Sequence, residues 1–342
     1  MNVKRLPREL LDRLPISQDP LIVRGCEKGR KIAAENNCAE AAIRAGINTG
    51  VIYEGTGEFR KANKNYEEAF ELAKKVGEVY LMSWVGKLVG GRDFFRGETK
   101  KAMGFFEELL ALDRRTKDTV NIAQDMIYLG WGHVFLGDWE EGIRYGVEGY
   151  EMAKKTGDYQ TVGSAAYVLG LPYEEMGEYA EAEEYLQEGA ATFERASDKI
   201  TLLSMVYPRL AFVHVKKGEF DQAKALLERI REYGRQTDNG LVIAYAEALG
   251  ASLLREQKDY DRSLQCFERT LQIYRSLELQ EFDVWSYSDL LYEYGLGYLC
   301  RNGEGDKDKA FSLLDQALQI YQRVDAKKRI EKVLAKKKLM TA

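Results

Sequence analysis

Apolar residues along this chain fall in two alternating textures, separated at regular intervals by a short polar signal. One texture is a sparse stripe of small and large apolar residues three or four apart: Ala182, Leu186, Gly189, then Ala223, Leu227, Ile230, and Ala310, Leu314, Ala317. That spacing is the buried face of an amphipathic helix. The other is a denser apolar stretch holding a Leu-Gly pair, as at Leu129-Gly130, Leu169-Gly170 and Leu296-Gly297. Between the dense stretch and the stripe comes the signal: Gly, an acid, usually an aromatic, and a small residue three places after it. It reads Gly57-Glu58-Phe59…Ala62, Gly97-Glu98-Thr99…Ala102, Gly137-Asp138-Trp139…Gly142, Gly177-Glu178-Tyr179…Ala182, Gly218-Glu219-Phe220…Ala223 and Lys258-Asp259-Tyr260…Ser263. The intervals are 40, 40, 40, 41 and 40 residues, and a degenerate copy, Gly305-Asp306-Lys307…Ala310, follows after 47.

A fixed period of this length is the mark of a repeat architecture. Each unit predicts a helical hairpin, with Gly77, Gly157-Asp158, Ser197-Asp198 and Thr237-Asp238 closing the second helices or capping the next. Neither helix can bury its apolar face alone, so stacked neighbours bury it together. The expectation is an all-α solenoid of antiparallel helix pairs, about sixteen helices over residues 1–324, with each repeat touching only its neighbours. A half-unit is expected over about 6–36, then about seven pairs, and a basic capping helix over 325–342.

These residues resemble the tetratricopeptide repeat. Its pattern sits on Met126, Leu129-Gly130, His133, Gly137-x-Trp139, Gly142, Gly146 and Gly149, and again on Leu169-Gly170, Tyr173, Gly177-x-Tyr179, Ala182, Leu186 and Gly189. The resemblance spans roughly residues 17 to 324. The period is 40 rather than the family's 34, which lengthens each hairpin's helices by ~9 Å in total, and the family's Pro near the end of the unit is missing. The longer form is similar to repeats of bacterial maltose-activator-like sensor domains and of polarity proteins rich in Leu-Gly-Asn repeats. The resemblance implies a right-handed superhelix whose concave face holds a peptide or partner protein. In its register that face carries Arg44, Ile47 and Asn48, then Trp84 and Lys87, then Gln124, Tyr128 and Trp131, then Tyr167, then Arg209 and Phe212, then Tyr245 and Ser252. The Lys/Asn carboxylate clamp of chaperone-binding repeats is absent, because Gly91 stands where Lys87 would need an Asn. Two readings of the aromatic wall stand: it grips an apolar or amphipathic segment, or it spaces longer helices.

Composition narrows the picture. With 31% charged and 45% hydrophobic residues and only 5 Pro, the chain is rich enough in apolar residues for a continuous core. The longest uncharged stretch, Tyr159 to Tyr173, is 15 residues, short of the ~20 a membrane span needs, and the charged N-terminus does not read as a signal peptide. Four cysteines without a CxxC or framework spacing (Cys26, Cys38, Cys266, Cys300) predict reduced thiols and a cytoplasmic setting. His133 and His214, the two histidines, share one repeat position and read as packing residues. Gly86-Lys87-Leu88-Val89-Gly90-Gly91-Arg92 lacks phosphate-loop order. No constellation asks for catalysis, a cofactor or a metal, and the net charge of −5 disfavours nucleic acid as the main partner. The expected function is therefore a non-catalytic scaffold binding a peptide or protein, with an effector-sensing module of a signalling ATPase or transcription regulator as the alternative.

Two features interrupt the pattern. Pro172 and Pro208 fall inside first helices, where a Pro removes a hydrogen bond; they predict either a bend with exposed carbonyls or a tolerated distortion. From Ala326 onward, seven Lys or Arg face a single Glu331, while Ile330, Val333 and Leu334 form an apolar stripe. That helix is expected either as a solvated basic cap or as an element docking on an acidic surface.

Overall fold

The computed structural model describes Gly25, residues 27–29, Lys31, 38–195 and 201–341. Apart from its isolated positions, the half-unit expected over about 6–36 lies outside these residues, as do Cys26 and the Ser197-Asp198 pair. All regular structure among the described residues is helical. Seven antiparallel pairs follow one another: α1 (Ala39–Gly55) with α2 (Phe59–Val76), α3 (Val79–Phe95) with α4 (Thr99–Thr116), α5 (Thr119–Leu136) with α6 (Trp139–Thr156), and α7 (Tyr159–Met176) with α8 (Tyr179–Arg195). Then α9 (Tyr207–Lys217), preceded by a π-helical turn at Leu202–Val206, pairs with α10 (Phe220–Thr237), α11 (Gly240–Glu256) with α12 (Tyr260–Ser276), and α13 (Val284–Arg301) with α14 (Asp306–Arg323). The last helix, α15 (Lys327–Thr341), follows α14.

The recurring signal is the turn inside each pair. Its glycine takes a left-handed φ, for example +80° at Gly97 and +81° at Gly177. There the residues after the helix turn back onto its last carbonyls: Gly97 N donates to Phe94 O at 2.9 Å and Glu98 N to Asp93 O at 2.9 Å. Leu129-Gly130 and Leu169-Gly170 mark where the two helices of a pair cross closely, whereas Gly297 packs on Leu264 and Phe267 of the preceding unit and Gly295 takes the crossing place against Leu314. A Cβ on Gly130 would lie 3.0 Å from Gly142 O, and one on Gly170 would lie 2.9 Å from Leu186 Cγ.

The two prolines are absorbed differently. Pro172 lies inside α7, which continues to Met176 despite the missing N–H. Ahead of Pro208 the helix widens by one residue into a π turn, so that Tyr207 N reaches back five residues to Leu202 O. The wider turn accommodates a residue that has no N–H to give.

The expectation that each repeat touches only its neighbours is wrong, because the superhelix closes on itself. Trp285, at the start of α13, is 2% exposed and stacks on Phe135 of α5 with ring centroids 4.4 Å apart. Its Nε1 donates to Phe94 O of α3 at 2.7 Å. Along the same seam Arg60 pairs with Glu278 at 2.6 Å and Glu281 at 2.9 Å, and Asn239 Nδ2 donates to Gly55 O at 3.2 Å. Lys100 pairs with Asp325 at 2.7 Å, and Lys327 with Asp138 at 3.0 Å. The turns of the first three pairs thus abut the sixth and seventh pairs and α15. A single hydrophobic core runs from Phe59 to Val333 through this contact, and a smaller one, from Ile43 to Val85, lies under the first pair.

The seam gives two of the signature glycines a second duty. A Cβ on Gly97 would fall 2.5 Å from Val324 Cγ1, and one on Gly137 would fall 2.9 Å from Lys328 Cγ, whereas Gly177 faces open space. Gly97→Ala and Gly177→Ala therefore share the ~1–2 kcal/mol backbone penalty of a left-handed residue. Gly97→Ala should lose a further ~1–3 kcal/mol through overpacking at the seam. Urea denaturation of the two variants side by side measures that difference, and equal losses would show that the seam does not press on Gly97.

Candidate functional site

Closure bounds a pocket of about 460 Å³ inside the superhelix, half open to solvent. Its aromatic lining comes from Trp131 of α5, Tyr167 of α7, Phe212 of α9 and Trp285 of α13. Trp131 is held edge-on to Tyr167 at 6.1 Å and to Phe95 at 5.3 Å, so these rings reach the cavity while packing on one another. Six of the thirteen groove residues expected from the repeat register line this space: Trp131, Tyr167, Arg209, Phe212, Tyr245 and Ser252.

Interleaved with these rings is an ionic set. Arg209 donates to Glu174 Oε1 at 3.0 Å, and Arg329 of α15 donates to Glu175 Oε1 at 2.7 Å. Asp289 lies 3.5 Å from Arg329 Nε and accepts from Tyr321 Oη at 2.6 Å. Deeper in, Asp283 accepts from Tyr245 Oη at 2.5 Å, from Tyr274 Oη at 3.2 Å and from Ser286 N at 3.2 Å.

The same burial has opposite outcomes for these acids, depending on their partners. At Asp283 burial raises the pKa, and its three neutral donors offset this only in part. At Glu174 burial also wins over Arg209 and the pKa is raised. At Glu175 burial is outweighed by Arg329, Lys332 and Arg209, which together hold it down at about 2. Glu293, whose carboxylate accepts from Arg255 at 2.5 Å, is likewise held at about 2 against its burial.

The basic C-terminal helix is therefore partly a wall of the cavity, and the acidic surface it meets is its own chain. Arg329 is buried, with its guanidinium over Trp285 at 5.1 Å, while Lys327 and Lys337 pair with Asp138 and Asp315.

The other seven expected residues sit elsewhere, Ile47 among them, buried in the smaller core. Arg44 pairs with Glu40 at 2.9 Å and lies over Trp84 at 6.0 Å, both beside the smaller core, and Asn48 is half-buried on α1. Gln124 Nε2 donates to Thr161 Oγ1 at 3.0 Å, and Tyr128 stacks on Phe106 at 4.4 Å. Lys87 is buried, 3.2 Å from Asp113 and 3.0 Å from Asp125, with Ser83 Oγ 2.5 Å away. Burial raises Asp125 to about 7 even beside that ammonium.

Among the described residues, Glu183, His214 and Glu219 bring together ligand atoms spaced for a metal ion. Lys217 pairs with both carboxylates, at 2.8 Å from Glu219, so a cation already bridges them. His214 Nδ1 lies 2.7 Å from Glu219 Oε2.

The repeat register did not mark Glu174, Glu175, Trp285, Asp289 or Arg329 as cavity residues. For the Trp285 region a sequence signal existed in the 47-residue interval. Its extra residues form the turn Leu279–Glu281, which places Glu278 and Glu281 against Arg60 and sets Phe282 5.7 Å from Phe59.

Residues 163–190 and 201–277 each match a family model described as tetratricopeptide repeat. The repeat unit is thus a tetratricopeptide repeat, in agreement with the signature read from the sequence. No curated protein matches the chain in sequence. Among solved structures the fold is similar to a Rap protein complexed with competence and sporulation factor: TM-score 0.65, 16% identity, covering 83% of this chain and 76% of that one. It is also similar to aspartyl phosphate phosphatase F from Bacillus subtilis, with TM-score 0.60, 16% identity and coverages of 85% and 74%. NprR in complex with its cognate peptide NprX gives TM-score 0.59 and 15% identity over 85% and 82% of the two chains. At these identities the likeness is one of fold. Among the described residues no helix is long and apolar enough to cross a membrane.

The lowered pKa of Glu175 has a defined pH signature. Its folded value lies below its ordinary 4.5, so its contribution is full above pH 4.5 and lost as pH falls through about 2. Wild type should therefore exceed Glu175→Gln in unfolding free energy most at neutral pH, and the gap should shrink as pH drops from about 4.5 to about 2. Denaturant titrations across that window check the trend. A gap independent of pH would mean that the carboxylate's charge is not what holds Arg329.

Proposed function

We propose that this chain is a non-catalytic receptor that takes a peptide, or an extended segment of a partner protein, into the interior of its superhelix. The observation that carries the reading is the pocket itself: lined by aromatic rings and by buried ion pairs, and bounded by closure of the solenoid. Concave, largely apolar spaces with a few placed polar groups are how proteins hold small ligands and chain segments. Two of the similar structures contain a bound factor or peptide, the Rap protein with competence and sporulation factor and NprR with NprX. In this reading the cavity aromatics are gripping surfaces as well as spacers, and the groove residues that line the cavity, Trp131, Tyr167, Arg209, Phe212, Tyr245 and Ser252, are its contact set.

Aromatic anchors tend to dominate such interfaces, and truncating one often costs 2 kcal/mol or more. Trp131→Ala and Phe212→Ala should each lower retention of a synthetic pool of randomised pentapeptides more than tenfold while circular dichroism still reports a folded helical protein. Wild type that retains no peptide from the pool would overturn the receptor reading. Full retention by both folded variants would place the binding surface outside this cavity.

A further inference from the structure

Two buried side-chain atoms in the cavity wall have no hydrogen-bond partner within the protein: Trp131 Nε1 and Glu174 Oε2. One can only donate, and the other accepts while the carboxylate is ionised, the form that Arg209 favours. Their neighbours in the ionic set are met: Glu174 Oε1 by Arg209, Glu175 by Arg329, Asp289 by Tyr321, and Asp283 by two tyrosines and a backbone N–H. Other buried atoms without partners, such as Thr99 Oγ1, belong to residues that do not line the cavity. Glu174 is 7% exposed, as is Trp131, so neither atom reaches bulk solvent freely.

A buried donor or acceptor left unmet is costly, and here one of each belongs to a residue that lines the same pocket. Arg209 already balances the charge of Glu174. What remains on that carboxylate is a lone pair seeking a hydrogen, not an unpaired charge seeking a counter-ion. A ligand that answers both atoms must offer a nitrogen-borne hydrogen and an oxygen acceptor on a body apolar enough for the aromatic rings. The main chain of a short peptide carries that combination at every residue.

Resting on the receptor reading above, we propose that Trp131 and Glu174 are the polar anchors that orient the peptide. Trp131 Nε1 donates to a main-chain carbonyl, and Glu174 Oε2 accepts from a peptide nitrogen. That nitrogen is either an internal amide or the terminal ammonium, and the two sources share the same donor chemistry. The anchors sit on neighbouring first helices, α5 and α7, so the bound chain runs across the repeats. Side-chain specificity then falls to the aromatic rings, and the anchors tolerate many sequences.

The test uses the full chain and a pool of synthetic randomised pentapeptides, supplied with free and with acetylated N-termini. Retained peptide is quantified by mass spectrometry for wild type, Glu174→Gln and Trp131→Phe. Glu174→Gln keeps an oxygen for Arg209 but can turn a donor toward the ligand nitrogen. Trp131→Phe keeps an aromatic ring and removes the N–H. Each should retain at least tenfold less peptide than wild type. Trp131→Phe should also melt no lower than wild type in the free state, because it removes an unmet polar atom. Loss of binding for the acetylated pool alone assigns Glu174 to the terminal ammonium, and equal binding of both pools assigns it to an internal amide. Retention by both variants within twofold of wild type overturns the anchors while leaving the receptor reading intact. Wild type retaining no peptide of either form overturns the receptor reading, and the anchors with it.

Discussion

Trp285 lies with its indole flat on Phe135 and its N–H on the carbonyl of Phe94, joining the seventh helix pair to the second and third. That contact turns a stack of hairpins into a closed object. A solenoid needs only neighbour contacts to bury its stripes, and without this one the cavity would be an open groove. With it, a first-helix aromatic such as Trp131 faces an interior bounded on its far side by α13 and α15. The buried pairing of Arg329 with Glu175 and the low pKa of that carboxylate follow from the same closure. An arginine at the start of a terminal helix would otherwise sit in water, where ion pairs contribute little.

Closure also explains why the turn signal is strict where it is. Every signature glycine relieves a left-handed backbone, and a lysine at 258, with φ +66°, shows that the conformation alone tolerates another residue. At Gly97 and Gly137 the requirement is doubled, because the opposing residues Val324 and Lys328 leave no room for a Cβ. The repeat motif and the seam thus draw on the same positions. Local chain geometry and long-range packing are specified together.

Much of this was legible in the sequence, for a definite reason. Helix pairs depend on local spacing, and the 40-residue register placed each intrapair turn where it lies. The same register brought Trp131, Tyr167, Arg209, Phe212, Tyr245 and Ser252 to one cavity, because first helices of successive repeats share a facing direction. It could not show that the solenoid's own far end lies against its beginning. A small rotation per repeat, accumulated over about five units, decides whether turns meet, and no single residue encodes it. For that reason the basic tail finds its acidic surface within its own chain, whereas Lys87 is buried by acids of its own and the next repeat, Asp113 and Asp125. The one local trace of closure was the 47-residue interval, whose extra turn supplies the acids that meet Arg60.

The account turns on closure, and zero-length cross-linking of lysine to carboxylate reads it directly. In dilute monomeric protein treated with a carbodiimide, peptide mapping should recover Lys100 joined to Asp325 and Lys327 joined to Asp138, pairs that lie 2.7 and 3.0 Å apart across the seam. Within-repeat pairs such as Lys74 with Glu71, at 3.1 Å, supply the positive control. Recovery of the control links without either seam link would contradict the account, because it would describe an open solenoid whose far end does not meet its beginning.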